Sequence, residues 1–253
     1  MKRNVTSIVL LFIFFLLGYY IAPNLENTTV NYESLDQNFQ QNFAAFKIAK
    51  KEFPVEYRAF LKSVQEGVES NESSFNRAKI GNAFFKKLAR MNKEKLYNMS
   101  KKDLDTYFLL TIKFINQVND IEGSVRCVNY FSNSATKNIR DKDFTIRHHR
   151  IIQEMTAKKI VYFANKSEED SIPLNIADVK LYLFELNSKY PEILANNQDP
   201  NRGMIFCEKL ASFYKDLLDD KSEIGYQSKK FLFLIENKFS PKEISFKYAA
   251  VDD

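Results

Sequence analysis

Val5 to Ala22 is a run of 18 residues without a charge. As a helix it is about 27 Å long, close to the thickness of one hydrocarbon core. Such a run divides the chain into an expected membrane span, residues 1–23, and a remainder that folds on one side of it. The alternative is a cleaved leader, whose apolar region is usually about 7–15 residues followed by small residues three and one positions before the cut. A cut after Ala22 would place Tyr20 at the third position before the bond and Pro23 just after it, and both hinder cleavage. No cysteine stands directly after the run to carry a lipid.

The flanks set the orientation, because basic residues resist translocation. Lys2 and Arg3 precede the run and the next basic residue is Lys47, with Glu26, Glu33 and Asp36 between. Tyr19 and Tyr20 fall where aromatic side chains meet headgroups. The expectation is a single-pass protein of the inner membrane, amino terminus cytoplasmic, with its carboxyl-terminal domain periplasmic or otherwise extracytoplasmic.

The remainder is expected to be all-α. The whole chain holds only 6 Gly and 6 Pro against 23 Phe and 13 Tyr, and no alternating apolar run bounded by turn residues is present. Residues 24–33 read as a polar tether. Ser34 and Gln37 then form a capping-box pattern, followed by Leu35, Phe39, Phe43, Phe46 and Phe53 on one helical face. Pro54 opens a helix carrying Tyr57, Phe60, Leu61 and Val64. After a loop at 69–74 comes a helix with Phe84, Leu88 and Met91 inward. Ser100–Asp103 starts a long helix ending near Gly123, and Ser124 caps one with Val125, Val128 and Phe131 inward. Residues 144–164 continue as helix, and 165–173 is a break and a possible sub-boundary of the 34–253 domain. Helices then carry Ile176, Val179, Leu183 and Leu186, and, after the loop Asn196–Gly203, Phe206, Leu210, Phe213 and Leu217. Ser240–Glu243 starts a terminal helix. The sum is an irregular helical bundle of about nine or ten helices, with no fixed repeat period.

Cys127 and Cys207 lie 80 residues apart. In an exported compartment such a pair is expected to be oxidised, the alternative being two core thiols. Neither has a CxxC partner, which argues against a catalytic thiol. His148 and His149 are the only histidines, point about 100° apart on a helix, and read as solvated or half-buried rather than as metal ligands. P-loop, GxGxxG, GxSxG and HExxH patterns are absent, so the sequence implies no cofactor and no resident metal. Asn197, Asp199, Asn201 and Glu208 occupy positions one, three, five and twelve of a calcium-loop pattern, but Arg202 stands where the turn needs glycine.

Residues 77–102 carry nine basic residues (Arg77, Lys79, Lys86, Lys87, Arg90, Lys93, Lys95, Lys101 and Lys102) and one Glu, a local charge of +8 in a chain of net +5. The rest of the chain is therefore 5 − 8 = −3. Such a stretch suits an acidic protein partner or anionic lipid, or else is a solvated face; nucleic acid is not expected for an exported domain. The preferred reading is a membrane-anchored exported helical protein that binds another envelope protein, as an assembly component or an inhibitor or immunity-type factor. The alternatives are an envelope enzyme with a carboxylate-based site, such as a glycan hydrolase, and a lipid-binding helical domain.

Overall fold

The computed structural model of the chain describes residues 32–70, 74–131, 142–164, 172–194, 200–237 and 239–249. The apolar run Val5–Ala22 lies outside the described residues, and among these no helix is long and apolar enough to cross a membrane. The described residues are mostly helical, with no strand among them. In chain order the helices are α1 Tyr32–Asn42, α2 Ala44–Glu52, α3 Pro54–Glu69, α4 Ser74–Met91, α5 Lys101–Glu122, α6 Ser124–Phe131, α7 Lys142–Ala164, α8 Ile176–Ser188, α9 Pro191–Leu194, α10 Pro200–Asp219, α11 Glu223–Glu236 and α12 Pro241–Ala249. A 3-10 turn, Lys93–Asn98, follows α4.

Two compact units share these helices. One, here the α7 unit, holds α1 to α4 and α7; the other, the α10 unit, holds α5, α6 and α8 to α12. The chain changes unit after Leu96, Arg140 and Lys166.

In the α7 unit, α1, α2, α3 and α4 each give aromatic rings to one cluster. The Phe46 ring centroid is 4.8 Å from Phe39, 4.9 Å from Phe60 and 5.2 Å from Phe85. Asp36 ties the first three helices from outside this cluster: it accepts from Lys50 Nζ at 2.6 Å, Gln40 Nε2 at 2.6 Å and Tyr57 OH at 3.0 Å. The single helix expected from Ser34 to Phe53 is interrupted at Phe43, whose backbone is extended (φ −138°, ψ 103°). The break lets α2 pack on α1, α3 and α7 at once, burying Ala45, Phe46 and Ala49. Helix α1 also begins at Tyr32, within the expected tether, so Ser34 sits inside the helix rather than capping it. His148 on α7 is fully buried, not solvated. Met91, expected inward, is 54% exposed because α4 ends there and the chain turns.

In the α10 unit, α5 packs on α6, α10 and α11, while α11 also meets α8, α10 and α12. Ser100 caps α5, its hydroxyl accepting from Asp103 N at 3.1 Å. Gly123 ends α5 at φ 78°, a conformation that side chains other than hydrogen strain to adopt, and its carbonyl accepts the Cys127 amide to start α6. That sharp turn re-aims α6, leaving Val125, expected inward, 70% exposed while Cys127 and Val128 are buried. Ser240 and Glu243 exchange reciprocal bonds at the start of α12, the serine hydroxyl accepting from Glu243 N at 3.1 Å and the glutamate accepting from Ser240 N at 2.6 Å.

Helix α11 was not foreseen from the sequence. Ser222 caps it by accepting from Gly225 N at 3.1 Å. Gly225 is where α11 passes the preceding turn, since a Cβ there would lie 2.6 Å from Asp220 Cγ.

Candidate functional site

The cysteines come together. Cys127 on α6 and Cys207 on α10 form a disulfide, Sγ–Sγ 1.99 Å, with Cα atoms 6.3 Å apart and both side chains buried. Between them the chain leaves the α10 unit, contributes α7 to the other, and returns. The loop that the bridge closes therefore includes α7.

The basic residues are divided between the units. Lys86, Lys87 and Arg90 share the exposed face of α4, opposite the buried Phe84, Phe85 and Leu88. Among the described residues none of these three cations is in an ion pair. Lys93 and Lys95 are half-buried in the 3-10 turn. Lys101 and Lys102 belong to the α10 unit, where Lys101 pairs with Glu223 at 3.3 Å. Arg77 and Lys79 lie on α4, their side chains outside the described set.

Two of the four calcium-loop residues, Asn201 and Glu208, fall on α10. Asn197 and Asp199 lie outside the described residues, and the chain is helical from Pro200, not looped through Gly203. Asn201 and Glu208 thus sit about 10 Å apart along one helix, where a coordinating loop would wrap them round a single point. Among the described residues no group of His, Cys, Asp or Glu is arranged to hold a metal ion.

The densest polar cluster was invisible in the sequence. Asp105 on α5 accepts from Lys229 Nζ at 2.9 Å, Lys221 Nζ at 2.8 Å and Tyr226 OH at 3.0 Å. Lys229 Nζ also donates to the carbonyls of Leu218 and Asp220, at 3.1 and 2.8 Å, and lies 4.0 Å from the Tyr226 ring centroid. All three ammonium protons are used. Asp220 accepts from Tyr182 OH at 2.6 Å and Ser222 N at 2.8 Å, which brings α8 into the network. Nearby, Tyr107 and Tyr214 both donate to Glu236, each at 2.5 Å.

Burial alone would raise the Asp105 carboxyl, but the bonds from Lys221, Lys229 and Tyr226 hold it below its ordinary value. Burial pushes Lys229 down although Asp105 opposes the shift. Asp220 behaves as Asp105 does: burial would raise it, and its bonds from Ser222 and Tyr182 lower it. A carboxylate held ionised with its lone pairs occupied is an anchor rather than a proton donor. Asp105→Asn leaves the buried Lys229 ammonium without a counter-charge, and is expected to destabilise the α10 unit by about 2–3 kcal/mol. Urea unfolding followed by circular dichroism measures it; an unchanged midpoint would mean that the network is ornamental.

Two further features escaped sequence reading. Lys230 is fully buried, its Nζ donating to the Ile172 carbonyl at 2.6 Å and lying 5.0 Å from the Tyr248 ring centroid. On α8, Leu181 and Phe184 are 60% and 74% exposed. The comparisons with known proteins find no matching family model, no matching curated protein and no matching solved structure.

Proposed function

We propose that the chain is a membrane-anchored exported helical protein, held by residues 5–22 with its amino terminus cytoplasmic, that binds an acidic surface of another envelope protein through the basic face of α4. The observation that carries the reading is the Cys127–Cys207 bridge, because disulfides persist in oxidising compartments and are rare where thiols are kept reduced. Export leaves the helical units facing envelope partners. Lys86, Lys87 and Arg90, in no ion pair among the described residues, supply a cationic stripe suited to steering and holding an acidic surface. The partner complex serves either as part of an envelope assembly or to restrain the partner's activity. Asp36, Asp105 and Asp220 are held ionised by their hydrogen bonds and are poorly suited to donate a proton, which weighs against an acid–base site built on them.

A photo-crosslinking residue at Ala83, on the exposed face of α4, tests the reading in intact cells. The expected result is reproducible capture of one envelope protein, falling by at least about fivefold in the Lys86→Glu, Lys87→Glu, Arg90→Glu variant. Absence of any protein partner, or capture indifferent to the three reversals, would overturn it. Binding of the wild type to anionic vesicles without a protein partner would move the surface to lipid recognition. Protection of the helical units from protease added outside the cytoplasmic membrane would remove the export argument.

A further inference from the structure

We propose that α8 is a self-association surface on which a second copy of this chain pairs in parallel, α8 beside α8. One side of the helix, Val179, Leu183 and Leu186, is buried in its own unit. The opposite side carries Ala177, Leu181, Phe184 and Ser188, all exposed, at the spacing four, three, four. That spacing is the seam of a two-stranded coiled coil, with Leu181 and Ser188 at one core position and Ala177 and Phe184 at the other.

The flanking charges choose the partner and its direction. Lys180 borders the seam on one side and Glu185 on the other, both exposed and neither in an ion pair among the described residues. In a parallel pair each flank meets the opposite flank of its partner with a five-residue offset, so Lys180 of each copy reaches Glu185 of the other. Two equivalent bridges then close a self-complementary contact, as a two-fold axis requires. In an antiparallel pair each flank would meet itself, setting lysine against lysine and glutamate against glutamate. The helix thus carries both the apolar seam and the charge pattern of its own partner. The seam is about two heptads long and holds only two large side chains, so the association belongs to the weak class of small interfaces. This surface is independent of the anchor and of α4.

The test is sedimentation equilibrium of the full chain, wild type beside Leu181→Asp/Phe184→Asp, Lys180→Glu, Glu185→Lys and the double swap Lys180→Glu/Glu185→Lys. All these side chains are exposed, and circular dichroism checks that each variant keeps the wild-type helix content. The expected result is a concentration-dependent dimer that the apolar double variant weakens by at least about tenfold. Each single reversal should weaken it severalfold, and the double swap should restore it. A wild type monomeric up to millimolar concentration, or a dimer indifferent to Leu181 and Phe184, would overturn the proposal. Failure of the double swap to restore what either reversal loses would overturn the parallel arrangement.

Discussion

Replacing Cys127 and Cys207 together by alanine is expected to lower the unfolding midpoint of the α10 unit by about 10 °C, the equivalent of about 3–5 kcal/mol for a loop of this length. The closed loop spans 80 residues, and its opening frees the unfolded chain between α6 and α10. Because both side chains are buried, failure to alkylate the folded protein would not distinguish a bridge from shielded thiols. The informative experiment denatures the protein without reductant, adds an alkylating reagent and weighs the intact chain. No adduct before reduction and two after it are expected. Two adducts without reductant would remove the bridge, and with it the main support for an exported location.

Lys230→Met should act in the opposite direction, raising stability at neutral pH. Burial holds the Lys230 ammonium down at about 7, against 10.5 for an ordinary lysine, and no carboxylate accompanies it among the described residues. Below pH 7 the folded protein must hold a buried cation that the unfolded chain solvates freely, a penalty on the order of 4–5 kcal/mol. Between pH 7 and 10.5 the unfolded chain binds the proton and the folded chain does not, so stability rises with pH at up to about 1.4 kcal/mol per pH unit. Above that range the penalty is gone. Methionine fills similar volume without charge and leaves only the Ile172 carbonyl without its bond, a cost of about 1 kcal/mol. The variant should therefore gain a few kcal/mol at pH 7 and lose most of the slope between pH 7 and 10. The readout is the difference between wild-type and variant urea curves across that range. The difference matters because Tyr182, Tyr190, Tyr226 and Tyr248 are raised by burial and, apart from Tyr248, also by their aspartate partners. These phenols stay protonated in the folded chain above pH 10 and turn the wild-type curve downward there. Equal slopes in the two proteins would show that the Lys230 ammonium is solvated in the folded state.

Lys230 also explains why α11 was missed. Reading a helix from apolar spacing assumes that lysine faces water, and Ser222–Glu236 contains Gly225, Ser228, Lys229 and Lys230 at positions that the fold buries. The counter-charge of Lys229, Asp105, and the acceptor of Lys230, a loop carbonyl, are each more than 50 residues away in sequence. The continuity of the helix through Phe43 and the inward placing of Val125 were misjudged for a related reason: the residue types fit a continuous inward face, but turns at Phe43 and Gly123 redirect the following helix, although Phe43 itself is buried as expected. Local signals with a local mechanism were legible, as at Ser100 and Ser240, where the capping hydroxyl and the backbone N–H that donates to it lie three residues apart.

The amino-acid order by itself determined that the described chain is helical, because scarce turn residues and apolar groups at helical spacing act within a few residues of one another. It also named the only two sulfurs able to bridge and the basic character of α4. Tertiary structure alone decided that those sulfurs meet, that the basic stretch is shared between two units, and that Asp105 serves two lysines and a tyrosine. It alone decided that Leu181 and Phe184 face outward while Lys229 and Lys230 face inward. These outcomes depend on which helix faces which, and hydrophobicity is non-directional: it drives burial of a face without specifying the partner that covers it.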